Sequence, residues 1–248
     1  VAFLFEQNLY LSVKYTQSSF MPAYKYPRPV VAVDCVVFGW NENGLHVLLV
    51  KRAKDPFAGK WSLPGGFVLE NEVTDETAKR VLQTKGGLKN VFFEQLYTFS
   101  NTDRDPRGWI ISVAHYALVG LTAEMQENQK GTAGSGWVHV RALPRLAFDH
   151  REIIDMAVGR LKNKVRYAPI GFELLPDKFT MRQLQQLYED ILDTPIDKRN
   201  FQKKLAGMKL LRATGEKQQG VAHKPAQLFC FDDKKYKELG KKGFHFEL

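Results

Sequence analysis

The stretch from Trp61 to Leu88, WSLPGGFVLENEVTDETAKRVLQTKGGL, sets the organisation of the chain. Its Leu63-Pro-Gly-Gly-Phe67 segment enforces a sharp turn, since proline cannot donate to a ladder and glycine adopts backbone angles closed to other residues. A helix over Asp75 to Thr84 follows, with Thr74 or Asp75 as the expected N-cap. Gly86 and Gly87 end it. The bland reading is an ordinary loop–helix–loop unit, with Gly66 and Gly87 as turn residues.

The register of Gly66, Glu72, Arg80, Leu82, Gly87 and Leu88 resembles the Nudix signature, a glycine-anchored loop and helix that carries metal-binding glutamates. The resemblance implies carboxylates at 81, 84 and 85. Those positions share one helical face, where three glutamates would hold Mg²⁺ or Mn²⁺ through oxygen ligands. Such cations would stabilise charge on a diphosphate and activate a water. The chain has Val81, Thr84 and Lys85 instead. Valine has no donor atom, threonine is a weak neutral ligand, and lysine repels a cation. Glu70, Glu72 and Glu76 remain, but they do not make a multi-metal site. No catalytic residue, metal ligand or cofactor is therefore expected.

The chain has 248 residues, 44% hydrophobic and 25% charged, within the range of globular proteins and long enough for two domains. Net charge is +9, which suits an acidic partner such as nucleic acid without specifying a fold. Cys35 and Cys230 lie in apolar runs far apart, the pattern of buried free thiols in a reducing cytoplasm. No apolar run approaches a membrane span. Residues 1–21, beginning VAFLFEQNLYLSV, lack a basic start and a small-residue cleavage site, so a disordered or loosely docked extension is expected rather than a signal peptide.

Strands are expected over Val30 to Phe38 and Leu45 to Lys51, joined at Asn41-Glu-Asn-Gly44 as a hairpin. Further strands are expected over Val91 to Phe99, Trp109 to Gly120 and Trp137 to Val140, with the Pro-Gly-Gly turn inside Trp61 to Phe67, and an amphipathic helix over His150 to Val165. Strands then helix, twice over, make an α/β/α sandwich with a mixed sheet. Near Tyr167 the texture changes, and Ala168-Pro-Ile-Gly171 reads as a domain boundary and hinge. The chain divides into an extension (1–21), a Nudix-like domain (22–165) and a C-terminal domain (166–248).

In the C-terminal domain, Thr180-Met-Arg-Gln183 is a capping-box pattern opening a helix to Leu192, with Leu184, Leu187, Tyr188 and Ile191 on its core face. Asp197 can cap a second helix, Lys198 to Met208. A strand, a polar tip and a return strand Ala226 to Phe231 follow, the layout of a winged helix-turn-helix. From Asp197 to Arg212, six basic side chains (Lys198, Arg199, Lys203, Lys204, Lys209, Arg212) stand against one acid, Asp197. Phe201, Leu205 and Met208 would face the core. Arg199 can read guanine and Asn200 and Gln202 adenine. Lys198 would project outward beside them. Lys203, Lys204 and Lys209 suit phosphates, and His223 and Lys224 in the wing suit a phosphate or the minor groove. A solvated basic face is the alternative for any charge run.

Both halves together resemble the NrtR family of Nudix-related transcriptional regulators and its relatives among bacterial sugar-utilisation repressors. The resemblance rests on Asp34-Cys-Val-Val-Phe38, Pro56-Phe-Ala-Gly-Lys-Trp-Ser-Leu-Pro-Gly-Gly-Phe67, Asp103-Arg-Asp-Pro-Arg-Gly108, Ala147-Phe-Asp-His150, Phe179-Thr-x-x-x-Leu-Gln185 and Lys198-Arg-Asn-Phe-x-Lys-Lys204. It implies a homodimeric repressor of double-stranded operator DNA, released by ADP-ribose or a related nucleotide or sugar, controlling NAD-metabolism or sugar-utilisation genes. It implies effector contacts from Arg52 and from Asp103, Arg104 and Arg107 of one loop. Gly65 and Gly66 would give close backbone approach, and Trp61, Phe67 or Trp109 would stack on adenine. The competing reading of that loop is that its acids and arginines pair with each other and hold a turn. Competing readings of the whole are an ADP-ribose-type diphosphatase with an accessory domain, using Glu72 and Glu76, and a Nudix-fold RNA-binding or scaffolding protein. His115 and His150 are expected to be structural.

Overall fold

The structure is a computed structural model, and it describes residues 25–122, 125, 134–220, 224–242, 244 and 246. The expected N-terminal extension and His223 lie outside the described residues. Strand β1 (Val30–Asn41) and β2 (Gly44–Lys51) form the expected hairpin, with Asn41 opposite Gly44 and Phe38 opposite Val47. Gly44 sits at φ 109°, open to glycine and strained for other residues.

The stretch Trp61 to Phe67, expected to carry the Pro-Gly-Gly turn, holds two short strands, β3 (Trp61–Ser62) and β4 (Gly65–Phe67), which pair with different neighbours. β3 extends the sheet beside β2, and β4 lies antiparallel to β1 with Gly65 opposite Asp34. The break falls at Pro64, which has no N–H to give; its carbonyl accepts from Cys35 N–H at 2.8 Å. β5 (Phe92–Phe99), β6 (Ile110–Gly120) and β7 (Ser135–His139) complete a sheet in the order β3-β2-β1-β6-β5, with β4 on β1 and β7 on β2. β1 and β6 run parallel and the other pairs antiparallel, so the sheet is mixed.

Alternation along β1 separates two cores. Val33, Cys35 and Val37 point to helix α1 (Thr74–Gly86), meeting Ala78, Val81 and Leu82. Val36, Phe38 and Trp40 point the other way, to Ile153, Ile154, Ala157 and Leu161 of α2 (His150–Lys164). The helices thus cover both faces of the sheet, the expected α/β/α sandwich. The N-cap of α1 is Val73, not Thr74 or Asp75. Valine has no side-chain acceptor, and the Glu76 carboxylate takes the Val73 N–H instead, at 3.1 Å. At the other end Gly87 is left-handed, and Gly87 and Leu88 N–H groups return to Gln83 and Leu82 carbonyls.

A 3-10 helix, Pro169–Leu174, occupies the expected hinge. It is packed rather than free: Pro169, Gly171, Phe172 and Leu174 are buried, and a Cβ on Gly171 would lie 3.3 Å from the Tyr188 ring. Helices α3 (Met181–Leu192) and α4 (Lys198–Met208) and the hairpin β8 (Leu211–Lys217) with β9 (Gln227–Phe231) form the winged helix. Thr180 and Gln183 make the expected capping box, and Asp197 caps α4 by accepting from Asn200 N–H at 2.8 Å. A further helix, α5 (Asp233–Gly240), has no counterpart in the sequence expectations. Cys35 is buried as expected, while Cys230 on the wing strand is only half-buried.

The two domains share one apolar core. Trp40 and Leu161 belong to the same cluster as Leu174, Leu187, Tyr188 and Phe201 of the C-terminal domain, within which Phe172 stacks on Phe231 at 4.3 Å. Polar contacts reinforce it. The Trp40 indole donates to Asp190 of α3 at 2.7 Å, and Gln183 and Gln186 donate to Glu42 of the β1–β2 turn. Arg141 pairs with Asp193 at the C-terminus of α3.

Candidate functional site

A cleft of about 540 Å³ opens at the edge of the sheet between β4, the Arg104–Arg107 loop and the start of α2. Lys51, Arg52, Lys54, Lys85, Arg104 and Arg107 line it against the acids Asp34 and Asp105. Of the residues expected from sequence, Arg52, Gly65, Gly66, Phe67, Arg104 and Arg107 meet there. Trp61 does not line the cleft, because β3 alternates and presents Ser62 while Trp61 packs on the core and under Lys51. Asp103 lines a neighbouring depression with Phe57 and Tyr97, and the exposed Trp109 lies in neither.

Asp34 is the anchor of the floor. It is a buried carboxylate in an apolar strand, and it accepts from Ser112 Oγ at 2.7 Å and Arg104 at 3.4 Å. His150 approaches it at 3.6 Å through Nε2, while His150 Nδ1 accepts from Leu63 N–H at 2.9 Å. A ring nitrogen that accepts carries no proton, so the neutral tautomer has its N–H on Nε2, toward Asp34. Burial pushes the His150 imidazole below its usual range, against the pull of Asp34. A Cβ on Gly65 would fall 2.2 Å from Asp34 Oδ1, so the carboxylate requires glycine there.

The two loop arginines differ. Arg104 is buried and donates to both oxygens of Asp149, at 2.8 and 2.7 Å, as well as to Asp34. Arg107 is one-third exposed; it pairs with Asp105 at 2.6 Å and lies over Phe67 and Phe148, at 5.1 and 5.5 Å. Arg52 covers Phe148 at 4.6 Å and donates to Pro56 carbonyl at 2.7 Å. Phe148 has a left-handed backbone, φ 53°, which places its ring between the two guanidiniums. Such strain in a bulky residue is typical of ligand clamps.

On α1, Val81 is buried under Gly66, Thr84 donates back to Arg80 carbonyl at 2.7 Å, and Lys85 donates to Gly65 carbonyl. Burial draws the Lys85 ammonium below its usual range, opposed by Asp34. Glu72 is held by Arg80 at 2.7 Å, by Thr77 at 2.7 Å and by Leu69 N–H at 3.1 Å, which lowers its pKa to about 2. Among the described residues no three His, Cys, Asp or Glu side chains could share a metal ion. His115 is buried between β6 and α1 and meets Asp75 at 3.1 Å.

In the second region, Phe201 and Leu205 of α4 are buried and Met208 joins them. At 3.6 residues per turn, Arg199 and Lys203 then lie opposite the core, with Asn200 beside them. Lys198, Arg199, Asn200, Lys203 and Lys204 are exposed, and Gln202 is half-buried at the flank. Lys209 is the left-handed cap of α4, at φ 54°, rather than part of its face. Arg212 on β8 and Lys224 beyond the wing tip are exposed.

Sequence reasoning missed Lys51, Lys54, Asp34 and Phe148 as cleft residues, and Ser112 as the buried donor behind Asp34. The signals were a lone Asp in an apolar strand and the Ala147-Phe-Asp-His150 match, whose Phe, Asp and His all reach the site.

A cationic cleft in an α/β/α sandwich, packed on a winged helix with a basic exposed face, defines a two-domain protein of the Nudix-plus-winged-helix class. Residues 28–157 match the NUDIX domain family and residues 171–231 the NrtR DNA-binding winged helix domain. The chain is 34% identical over 223 residues to the ADPR responsive transcriptional repressor NtrR of Acinetobacter baylyi, covering 87% of this chain and 88% of that protein. It is 36% identical over 129 residues to the ADP-ribose pyrophosphatase of Methanocaldococcus jannaschii, 52% of this chain and 73% of that one. The crystal structure of Shewanella oneidensis NrtR complexed with a 27mer DNA superposes with TM-score 0.74 at 34% identity, over 81% of this chain and 93% of that one. The chain belongs to the NrtR family.

Proposed function

We propose that this chain is a homodimeric transcriptional repressor that binds operator DNA through α4 and the wing and is released by ADP-ribose or a closely related nucleotide sugar. NAD-metabolism or sugar-utilisation genes are the expected targets. The observation that carries the reading is the cleft: cations line it, while Val81, Thr84 and Lys85 stand where metal-binding carboxylates would be needed. Such a site holds a diphosphate without cutting it. The similarity to a repressor described as ADPR responsive supports the choice of effector. The diphosphatase reading would need Glu72 and Glu76, but Glu72 is tied to Arg80 and Glu76 to the Val73 N–H.

The route between the sites runs along β1. Asp34 lies in the cleft, and six residues on Trp40 donates to Asp190 of α3. A strand within a sheet moves as a unit, so a shift at the cleft is delivered to the helix that supports α4. A ligand changes DNA affinity only if it binds the two arrangements unequally. Fluorescence anisotropy with labelled DNA from upstream of this protein's own gene tests the reading. ADP-ribose should lower affinity by about 5–150-fold, the usual range of coupling. No DNA binding, or binding indifferent to ADP-ribose and related nucleotide sugars, overturns it.

A further inference from the structure

Lys85 stands in the last turn of α1 and lines the cleft. Its Nζ donates to the Gly65 carbonyl across the cleft's edge. Arg104 and Arg107 both answer to carboxylates, Asp149 and Asp34 for one and Asp105 for the other. The hydrogen bond of Lys85 is to a neutral oxygen, so that contact leaves its charge uncancelled. An ammonium has three donors, and Gly65 takes one. The C-terminal end of a helix stabilises a cation, which favours a lysine at this position. The Asp34 carboxylate, next to Gly65 on β1, offsets part of the cost of burial.

A divalent ion at such a place would neutralise the oxygens of a bound diphosphate. We propose that Lys85 is itself an effector-binding residue: its ammonium replaces the divalent ion and neutralises the diphosphate of a nucleoside-diphosphate ligand, so that binding needs no metal. This rests on the reading of the cleft as a diphosphate site. The lysine that stands in place of one metal-binding carboxylate then also makes the sensor metal-free. A ligand held by a fixed ammonium is independent of cellular Mg²⁺, whereas a metal-bridged one is not.

The test is calorimetry on the full chain with two probes, ADP-ribose and inorganic pyrophosphate, each in EDTA and in Mg²⁺. Wild-type affinity should agree between the two buffers within about twofold. Lys85→Met should weaken both probes by about 10- to 100-fold, the scale of one charge-assisted hydrogen bond. Lys85→Arg should stay near wild type. Melting temperature and operator affinity without ligand should not move in either variant. Lys85 is not part of the apolar core under α1, which Ala78, Val81 and Leu82 form, so both variants should fold; Lys85→Gln is a second neutral variant if Lys85→Met melts lower. Wild-type-like binding by the neutral variants, or wild-type binding that requires Mg²⁺, overturns the proposal. Lys85-dependent binding of pyrophosphate without binding of ADP-ribose sustains the role of Lys85 and removes ADP-ribose as effector. Binding of neither probe overturns both.

Discussion

Arg104 and Arg107 stand three residues apart in one loop, and the structure predicts different consequences for losing them. Arg104 is 8% exposed and satisfies two carboxylates, Asp149 at 2.7 Å and Asp34 at 3.4 Å. Replacing it with alanine removes the counter-charge but leaves Asp34 in place, itself 8% exposed, with Ser112 as its remaining close donor. Breaking a buried pair from one side costs about 3–5 kcal/mol, because the stranded charge keeps its desolvation cost. In a protein of this size each kcal/mol lowers the melting temperature by about 2–4 °C, so the loss should be about 6–20 °C. Arg107 is one-third exposed and pairs with Asp105, whose side chain is only 3% exposed. Asp105 keeps the backbone N–H of residue 107 as a donor at 3.0 Å and only a partly exposed guanidinium is lost, so Arg107→Ala should melt less far below wild type than Arg104→Ala and should also weaken ADP-ribose binding. Urea denaturation and thermal melting of both variants, with calorimetry on Arg107→Ala, make the comparison. If Arg104→Ala melts within about 2 °C of wild type, the buried triad contributes little and the reasoning fails. The double variant would confound the two effects, so the single variants are the informative ones.

Three further outcomes are expected. Arg199→Ala should weaken operator binding by about 1–3 kcal/mol and relax base preference at one position, whereas Lys203→Ala should weaken all sequences alike and flatten the salt slope; unchanged binding in both removes α4 from the interface. Trp40→Phe deletes the bond to Asp190 while keeping most of the apolar volume, so operator affinity should hold within about twofold and the ADP-ribose response should shrink toward the lower end of ~5–150-fold; a full response would exclude the β1 route. The folded-state pKa of His150 is depressed, so its contribution to stability is complete above the unfolded value of about 6.5 and is lost as pH falls; His150→Gln should flatten the decline between about pH 7 and pH 5, and an unaltered pH profile would assign that decline to other groups.

Much of the fold was legible locally. Apolar runs bounded by turn residues located β1, β2, β5 and β6, the Thr180–Gln183 capping box located α3, and Asp197 located α4, because each signal depends on neighbours in sequence. The failures share a cause as well. Trp61 to Phe67 reads as a turn, but the residues on either side of Pro64 form short strands with different partners, and pairing is a long-range choice. The N-cap of α1 moved to Val73 because Glu76 reaches back to supply the missing acceptor. Ala168 to Gly171 has the composition of a hinge, yet Tyr188 and Phe231 pack against the 3-10 helix that forms there.

At the site the division is sharper. The absence of carboxylates at 81, 84 and 85 is a property of residue identity and spacing, and so is the basic face of α4; both follow from the sequence alone. Which arginine of the loop is buried in ion pairs and which stays partly exposed depends on Asp149 and Asp34, 45 and 70 residues from Arg104. Only folding brings them together, since a charge is paired or available according to what the tertiary structure places within a few ångströms of it. The same holds for Trp40, whose apolar strand predicts burial but not its partner: Asp190 lies 150 residues further on, in the other domain.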